Sequence, residues 1–332
     1  MIELRRISQY TVIIMAAKPI VVIGSINMDL VCRTPAMPRP GETILGGRFQ
    51  TIPGGKGANQ AVAAARLAQR GSAVHLIGRV GDDEFGERLL AGLRAKRVNV
   101  DHVAITRNVS SGIAVILVDS RGENSIVVAP GANARLTPAD VDRARDLIAG
   151  ASVVVMQLEI PLATVKHAIG LCRKLGVATI LDPAPAPARA PARGLPQAFY
   201  RVDVLTPNQT EAQALVSTRT KDPQRIASEL HGRGVKQVVL KLGGKGSLSA
   251  DAEGFLEGKP FRVKVVDTTA AGDAFTAALA VARAESMPVA QALRFANAAG
   301  ALCCMGLGAQ PSLPTRLRVD RLVAAGRSGY TL

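Results

Sequence analysis

The sequence predicts an α/β protein with a mostly parallel central sheet, helices on both faces, and a small β-sheet projecting from it. Two observations carry that expectation. Short, continuous apolar runs such as residues 20–23 and 153–156 alternate with longer Ala-rich or amphipathic stretches. Runs of that kind mark strands buried on both faces, and helices between them make the sheet parallel. Two pieces break the rhythm, residues 30–53 and 109–130, where β-like segments are interrupted by Pro and Gly. They are expected to form the projecting sheet, placed as a lid. With 332 residues, 48% of them hydrophobic, the chain can bury a large core. Residues 18–330 are taken as a single domain, because strand and helix keep the same alternation throughout.

Residues 1–17 stand apart. They hold Arg5, Arg6 and a short apolar run over 11–17. That run is too short to span a membrane and leads straight into a strand, which argues against a cleaved signal. Met15 offers an alternative start, and the extension is expected to be poorly ordered.

Taken in order, residues 20–23 form a strand followed by Ser25, Ile26, Asn27, Met28 and Asp29. Asn27 and Asp29 are two apart, so in extended chain they face the same way. An amide and a carboxylate side by side suit hydroxyl groups, which both donate and accept. Residues 53–60, Pro-Gly-Gly-Lys-Gly-Ala-Asn-Gln, then run into a helix expected over 61–67. This is neither a P-loop nor a dinucleotide fingerprint. It is a backbone-accessible turn that puts Lys56 and Asn59 on one side of a helix start.

A strand over 73–80 follows, then a helix opened by Asp82 and Asp83. Residues 119–122, Asp-Ser-Arg-Gly, carry a hairpin signal, and Thr137-Pro138 reads as a cap followed by an N1 proline. The strand ending near Leu158 puts Glu159 at its carboxyl end, where open α/β sheets collect ligands. After a strand over 177–181, residues 182–187 alternate Pro with Asp or Ala and look like a linker. A further strand leads to Asn208, with Glu211 three residues on. The strand over 235–241 ends in a Gly-rich turn, Leu242-Gly243-Gly244-Lys245-Gly246, able to pass backbone close to a ligand.

The chain is organised around residues 265–280, Val-Val-Asp-Thr-Thr-Ala-Ala-Gly-Asp-Ala-Phe-Thr-Ala-Ala-Leu-Ala. A β-branched run enters a small-residue turn and then an Ala-rich helix. Ala270, Ala271 and Gly272 leave backbone N–H groups accessible at a helix start, where the dipole favours an anion. Asp273 sits at the same spot. It fits a base that takes a hydroxyl proton beside an anion hole, and it equally fits a helix cap.

Charge and cysteines limit the alternatives. The formal net charge is +15, yet Lys and Arg are spread along the chain with no run of five, and only 3% of residues are aromatic. Nucleic acid and membrane are therefore not expected as partners, and the charge reads as surface chemistry with some pull on a polyphosphate. The four cysteines, Cys32, Cys172, Cys303 and Cys304, form no Cys-x-x-Cys pair, and the four His are scattered. That argues against a zinc site, gives no sign of a disulfide framework and fits a reducing cytoplasm.

Together the 54–60 and 267–273 motifs, in this order and with Asn208-x-x-Glu211 between them, resemble the ribokinase (PfkB) family of carbohydrate kinases over about residues 20–314. The resemblance implies a three-layer α/β/α fold with a β-sheet lid. It implies ATP-dependent phosphorylation of D-ribose at O5, with Asp273 as base and the backbone of Ala270, Ala271 and Gly272 as anion hole. Asn27, Asp29, Gly54, Gly55, Lys56, Gly57, Asn59 and Glu159, with Asp273, match the family's sugar-binding set. Asn208 and Glu211 match its phosphate and Mg²⁺ positioning motif. Lys241, Leu242, Gly243, Gly244, Lys245, Gly246, Gly272 and Asn297 match positions along the adenine nucleotide. An activating K⁺ is implied at Asp267, Thr269, Cys303, Gly306, Gly308 and Ser312, mostly through backbone oxygens. The family's lid also serves as a dimer contact, so a homodimer is expected. Lys241 departs from the small hydroxyl residue usual in the family, and Cys303 and Gly306 also differ.

Other readings stay open at this level. The same chemistry could act on a nucleoside, fructose or 2-deoxyribose. A nucleoside pocket would want aromatic side chains to stack a base, and the two lid pieces offer only Phe49. A non-catalytic basic anion-binding protein is a distant alternative, and a dinucleotide oxidoreductase is weakened by the missing glycine fingerprint.

Overall fold

In the computed structural model, which describes residues 17–186, 194–216, 218 and 220–326, fourteen strands form two sheets. They are β1 (Ile20–Ile23), β2 (Asn27–Arg33), β3 (Phe49–Gly54), β4 (Val74–Gly81), β5 (Val98–Asn99), β6 (Val103–Thr106) and β7 (Gly112–Val118). The chain continues with β8 (Asn124–Ala129), β9 (Val153–Met156), β10 (Ala178–Leu181), β11 (Val204–Leu205), β12 (Gln237–Lys241), β13 (Ser247–Asp251) and β14 (Gly254–Gly258).

The larger sheet runs β14-β13-β12-β11-β10-β9-β1-β4-β5, with β6 also paired to β4. Every pair from β12 across to β5 is parallel, and only β12–β13 and β13–β14 are antiparallel. The chain leaves β1 toward β4 on one side and later returns to β9 on the other. That reversal makes β1 a topological switch point, where a crevice opens at the carboxyl ends of the strands.

Strand residues alternate between two apolar cores. Ile20, Val22, Val153, Val155, Ile180, Val204 and Val239 join one core, which includes the helices Lys56–Leu67, Glu84–Ala95, Ala271–Ala284, Val289–Cys303 and Arg316–Ala325. Val21, Ile23, Val154, Met156, Leu181, Leu205, Val238 and Leu240 join the other, with Leu162–Leu175, Gln209–Val216 and Pro223–Gly232 among its helices. Successive strand residues point to opposite faces, and apolar residues at both parities therefore require helices on both sides. This is the three-layer arrangement expected from the continuous runs.

The smaller sheet runs β3-β2-β7-β8. It is built from the two pieces that break the helical rhythm, and β2–β7 is its parallel pair. The predicted hairpin joins β7 to β8, with Gly122 N donating to Asp119 O at 3.0 Å. All six residues of β8 are exposed, Ile126, Val127 and Val128 among them.

Some boundaries differ from the sequence expectation. The helix expected over 61–67 begins at Lys56, so the glycine-rich turn is largely its first turn. The stretch 182–186 after β10, linker-like in composition but kept within one domain in the sequence reading, packs against its neighbour: Asp182 and Ala184 are buried, and Leu158 N donates to Ala184 O at 3.0 Å. Thr137 opens the helix Pro138–Arg143 with a capping box that includes Asp140, as its sequence signalled. Of the extension, residues 1–16 lie outside the described residues, and the expectation of poor order falls on them.

Candidate active site

The strand ends converge on the crevice beside β1. Ser25 and Asn27 follow β1, Gln157 and Glu159 follow β9, Asp182 follows β10, Asn208 follows β11, and Lys241 closes β12. The helices Lys56–Leu67 and Ala271–Ala284 pack on one another across this end, and both are Ala-rich. Small side chains let two helices approach closely, which sets the first turn of one against the first turn of the other.

That contact decides the role open to Asp273. The helix Ala271–Ala284 starts from Ala270, whose φ is 60°, and no side chain caps it. Asp273 is the third residue of this helix, in its first turn, and 5% exposed. Its Oδ2 accepts from Asn59 Nδ2 at 3.0 Å and its Oδ1 from Gln60 Nε2 at 3.0 Å. The cap reading is therefore set aside. Burial pushes the Asp273 carboxyl up to about 6, with Asp182 adding to the rise, while Lys56, Asn59 and Gln60 restrain it. A carboxylate poised near neutrality is suited to accept a proton.

Gln60 is a hub. The nitrogen that meets Asp273 also donates to Asp182 Oδ2 at 2.9 Å, and its Oε1 accepts from Gln157 Nε2 at 2.6 Å. Asp182 Oδ1 in turn accepts from Lys241 Nζ at 2.8 Å. Gln60, Gln157 and Asp182 are all buried. The sequence reading put none of them in the site. Asp182 had a usable signal, a carboxylate at the carboxyl end of a strand, but the prolines after it drew the reading toward a linker.

On the other side of Lys56, Glu159 Oε2 accepts from Ser25 Oγ at 2.5 Å and from Lys56 N at 3.0 Å. Burial works against the Lys56 ammonium, but the charges of Asp273, Asp182, Glu159 and Glu211 outweigh it and hold the amine protonated. Burial, then Glu159 and Asp273, push the Asp29 carboxyl up to about 7. Asn27 Oδ1 accepts from Asn133 Nδ2 at 2.7 Å, and Asn133 also bonds both backbone groups of Ile26. Asn133 is thus a buried support that the sequence reading missed.

Backbone contact explains two of the glycines. A Cβ at Gly57 would lie 2.6 Å from the Gly24 carbonyl carbon and from Ser25 N. At Gly55, where φ is 84°, it would lie 2.7 Å from Asn27 N. Only glycine lets the helix start dock on the β1–β2 turn this closely. Gly54 stands similarly against the Asp29 carboxylate. Among the described residues, two buried acceptors here have no hydrogen-bond partner, Asn59 Oδ1 beside Asp273 and Gln157 Oε1 behind Gln60. An unmet acceptor beside a base is a position for a hydroxyl donor.

Two adjoining cavities open here. One, of about 310 Å³, is lined by Lys56, Asp182, Asn208, Glu211, Lys241, Gly243, Thr268, Ala270, Gly272 and Asp273. The second, of about 580 Å³, shares Lys241, Gly243, Thr268 and Gly272 with it. It continues past Gly244, Gly246, Phe261, Val265, Ala271 and Asn297. Its lining is largely apolar, as a flat aromatic ligand requires. Asn208 and Glu211 are tied reciprocally, each backbone N–H donating to the other's side chain at 2.8 Å. Asn297 donates to Ser247 Oγ at 2.9 Å. Leu242 packs toward the core and Lys245 is exposed. A third cavity, of about 400 Å³, lies at the opposite ends of the strands, beside Ser152, Val204 and Gln237, far from this chemistry.

Of the anion-hole residues, Ala271 N donates to Thr268 O at 3.2 Å. Gly272 and Asp273 follow in the same first turn, where no carbonyl inside the helix is within reach.

The six positions expected around a monovalent cation come together in two loops beside this helix start. Asp267 Oδ1 accepts from Thr269 N at 2.9 Å and Thr269 Oγ1 at 2.6 Å, and its Oδ2 from Gly308 N at 2.9 Å. These bonds, against the opposing effect of burial, hold the Asp267 carboxyl below its ordinary range. Cys304 O accepts from both Val266 N and Asp267 N. Cys303 Sγ lies 3.1 Å from Ser312 Oγ and 3.5 Å from Thr269 O. Gly306 packs against Ser312. With Asp267 bonded on both oxygens, what these loops would offer an ion is backbone carbonyl oxygen.

Comparison with known proteins agrees with the geometry. Residues 17–316 match the pfkB family of carbohydrate kinases. The chain is 42% identical over 307 residues to the ribokinase of Bacillus subtilis, covering 92% of this chain and 99% of that one. It is 39% identical over 305 residues to a bifunctional ribokinase/ribose-5-phosphate isomerase A of Fructilactobacillus sanfranciscensis, covering 90% of this chain but only 55% of that protein. Its fold superposes on the structure of Arabidopsis thaliana ribokinase complexed with ribose and ATP with a TM-score of 0.85. There the identity is 36%, over 92% of this chain and 99% of the other.

Proposed function

The chain belongs to the pfkB family of carbohydrate kinases, and from that premise we propose that it transfers the γ-phosphoryl group of ATP to the 5-hydroxyl of D-ribose. The observation that carries this reading is the buried Asp273, held by Asn59 and Gln60 at the start of a helix and opening onto two joined cavities.

The sugar occupies the side of Asp273 where Asn27, Asp29, Lys56, Asn59 and Glu159 meet, with Gly54, Gly55 and Gly57 bringing the backbone close. Carboxylates, an amide and an ammonium pair with hydroxyls of a bare sugar. Phe49, the aromatic residue of the second sheet, is exposed at the beginning of β3, which favours a small sugar over a nucleoside. The adenine ring lies in the larger cavity among Gly243, Gly244, Gly246 and Asn297, and the phosphates reach the smaller one beside Asn208, Glu211 and Gly272.

Asp273 takes the proton of the 5-hydroxyl as its oxygen bonds to the γ-phosphorus. The bond from phosphorus to the β–γ bridging oxygen breaks and ADP leaves. N–H groups at the start of the helix Ala271–Ala284 face the charge on the transferring group. Because such transfers have loose transition states, positioning and charge neutralisation dominate.

Mg²⁺ favours phosphate and water as ligands, so Asn208 and Glu211 on the cavity wall would hold its complex with ATP, and the ion would neutralise polyphosphate charge. The loops around Asp267, Thr269, Cys303, Gly306, Gly308 and Ser312 would hold K⁺, which would steady the helix start beside them.

The second sheet acts as a lid over the sugar and as the surface of a homodimer. The exposed apolar edge β8 supports both, since such edges are normally covered. Sedimentation of wild type against Ile126→Glu tests the dimer: the variant is expected to sediment as a monomer, and unchanged sedimentation removes β8 from the interface. A cytoplasmic setting belongs to the same reading. Among the described residues no helix is long and apolar enough to cross a membrane.

The test of the function is ADP release with ATP and Mg²⁺ against D-ribose, 2-deoxyribose, fructose and adenosine, each with and without K⁺. Ribose is expected to lead, with K⁺ raising the rate. A lead for another sugar changes the substrate and keeps the chemistry. No turnover on any of them overturns the reading.

A further inference from the structure

Lys241 ends β12 with its ammonium 2.8 Å from Asp182 Oδ1, and both side chains are largely buried. The opposite oxygen of Asp182 meets the Gln60 nitrogen that also meets Asp273. Lys241, Asp182, Gln60 and Asp273 therefore form one continuous hydrogen-bonded chain from a cation to the base. Lys241 also lines both cavities, and a Cβ at Gly272 would lie 3.5 Å from its Nζ. The ammonium thus stands beside the first turn of the helix that carries Asp273, at the junction through which a phosphate chain would pass.

We propose that Lys241 is a positioning residue that moves from Asp182 to the phosphate chain of the bound nucleotide, and that Asp182 relays this arrival through Gln60 to Asp273. The proposal deepens the sugar-kinase reading and rests on it.

The physical case is one of competition. A single carboxylate holds the ammonium now, whereas a nucleoside triphosphate brings several negative charges into the same cavity. Lysine is a compact charge on a flexible stem, so it can change partners without moving the backbone. Once it does, Asp182 keeps Gln60 as a partner but loses its hydrogen-bonded counter-ion in a buried place, with Lys56 the remaining cation near it. Asp273 is faced by Lys56, Asp29, Glu211 and Asp182, and of these charges Asp182 is the one whose counter-ion is exchanged. An uncompensated Asp182 makes Asp273 a stronger base. The base therefore strengthens when the phosphoryl group is in place.

The test uses full-length Lys241→Met, Lys241→Arg and Asp182→Asn. Calorimetry with ATP and with adenosine measures the clamp without needing turnover. Lys241→Met is expected to weaken ATP on the order of 10- to 100-fold, as for one lost charge-assisted bond. Adenosine should be unaffected and Lys241→Arg should restore most of the ATP affinity. Equal loss for both ligands, or no loss for ATP, overturns the clamp. Where wild type binds ATP but phosphorylates no sugar, the sugar-kinase reading fails and the clamp is still judged by binding.

The relay is read from the pH dependence of kcat. Removing the Asp182 charge should move the acid limb to lower pH by about one unit in Asp182→Asn, with the limb of Lys241→Arg near wild type. An unmoved limb in Asp182→Asn overturns the relay. Should Asp182→Asn not fold, Lys241→Met serves through kcat/KM for ATP, which reports the nucleotide-free enzyme, where Asp182 is paired with Lys241 in wild type and not in the variant. The acid limb of kcat/KM in Lys241→Met should then lie above that of wild type, and a coincident limb overturns the relay.

Discussion

The Gln60 side-chain amide donates to Oδ1 of Asp273 at 3.0 Å, across 213 residues of sequence. It joins the first turns of two helices and leaves Asp273 no role in capping its own. A buried carboxylate held by two amide donors is oriented, and orientation is what a base in phosphoryl transfer requires.

Replacing Asp273 with Ala should leave sugar binding measurable by calorimetry while lowering kcat by roughly 10²–10⁴, the scale of a general base. A loss below about tenfold would take Asp273 out of that role.

The acid side of the kcat/KM profile should follow the same group. Asp273 acts as a base only when ionised, and its carboxyl is pushed up to about 6. Activity is therefore expected to hold above that value and fall as pH drops through it. A profile flat down to the ordinary carboxylate range would contradict the assignment.

Asp29 makes a separate prediction about stability. Its carboxyl rises from 3.8 to about 7 on folding, chiefly through burial. The folded state then binds the proton more tightly than the unfolded chain, so the stability gained is complete at low pH and is lost as pH rises through about 7. Asp29→Asn has no such loss. Its melting temperature should exceed that of wild type at an alkaline pH of about 8, and the gap should shrink or reverse at about 5. A gap that is the same at both would mean the Asp29 carboxyl is not perturbed.

The cation loops can be tested without activity. A ligand that binds only the folded state raises the melting temperature by mass action. K⁺ should stabilise wild type relative to equimolar tetramethylammonium, and Asp267→Ala should lose the difference, because Asp267 ties Thr269 to Gly308. Equal melting in both salts would remove the site.

Much of the fold was legible because its cause is local. Runs such as Ile20–Ile23 and Val153–Met156 are apolar at every position, and only a strand buried on both faces needs that. The Pro- and Gly-broken pieces announced the second sheet for the converse reason. Thr137-Pro138 and Asp83 marked helix starts because a cap is made by neighbours in sequence. Asp182 was misread on the same logic, since proline content reports local chain shape and says nothing about what a carboxylate meets across a sheet.

By itself, the sequence determined the layer architecture, the small-residue turn before Asp273, and the pairing of Asn27 with Asp29 on one strand. Each follows from backbone periodicity and from side-chain size over a few residues. Only the tertiary structure showed that Asp273 does not cap its helix, made Gln60 the joint between two carboxylates, and set Lys241 against Asp182. Those outcomes depend on which strand ends and helix starts come within 3 Å of one another, and that distance is set by the packing of the whole sheet.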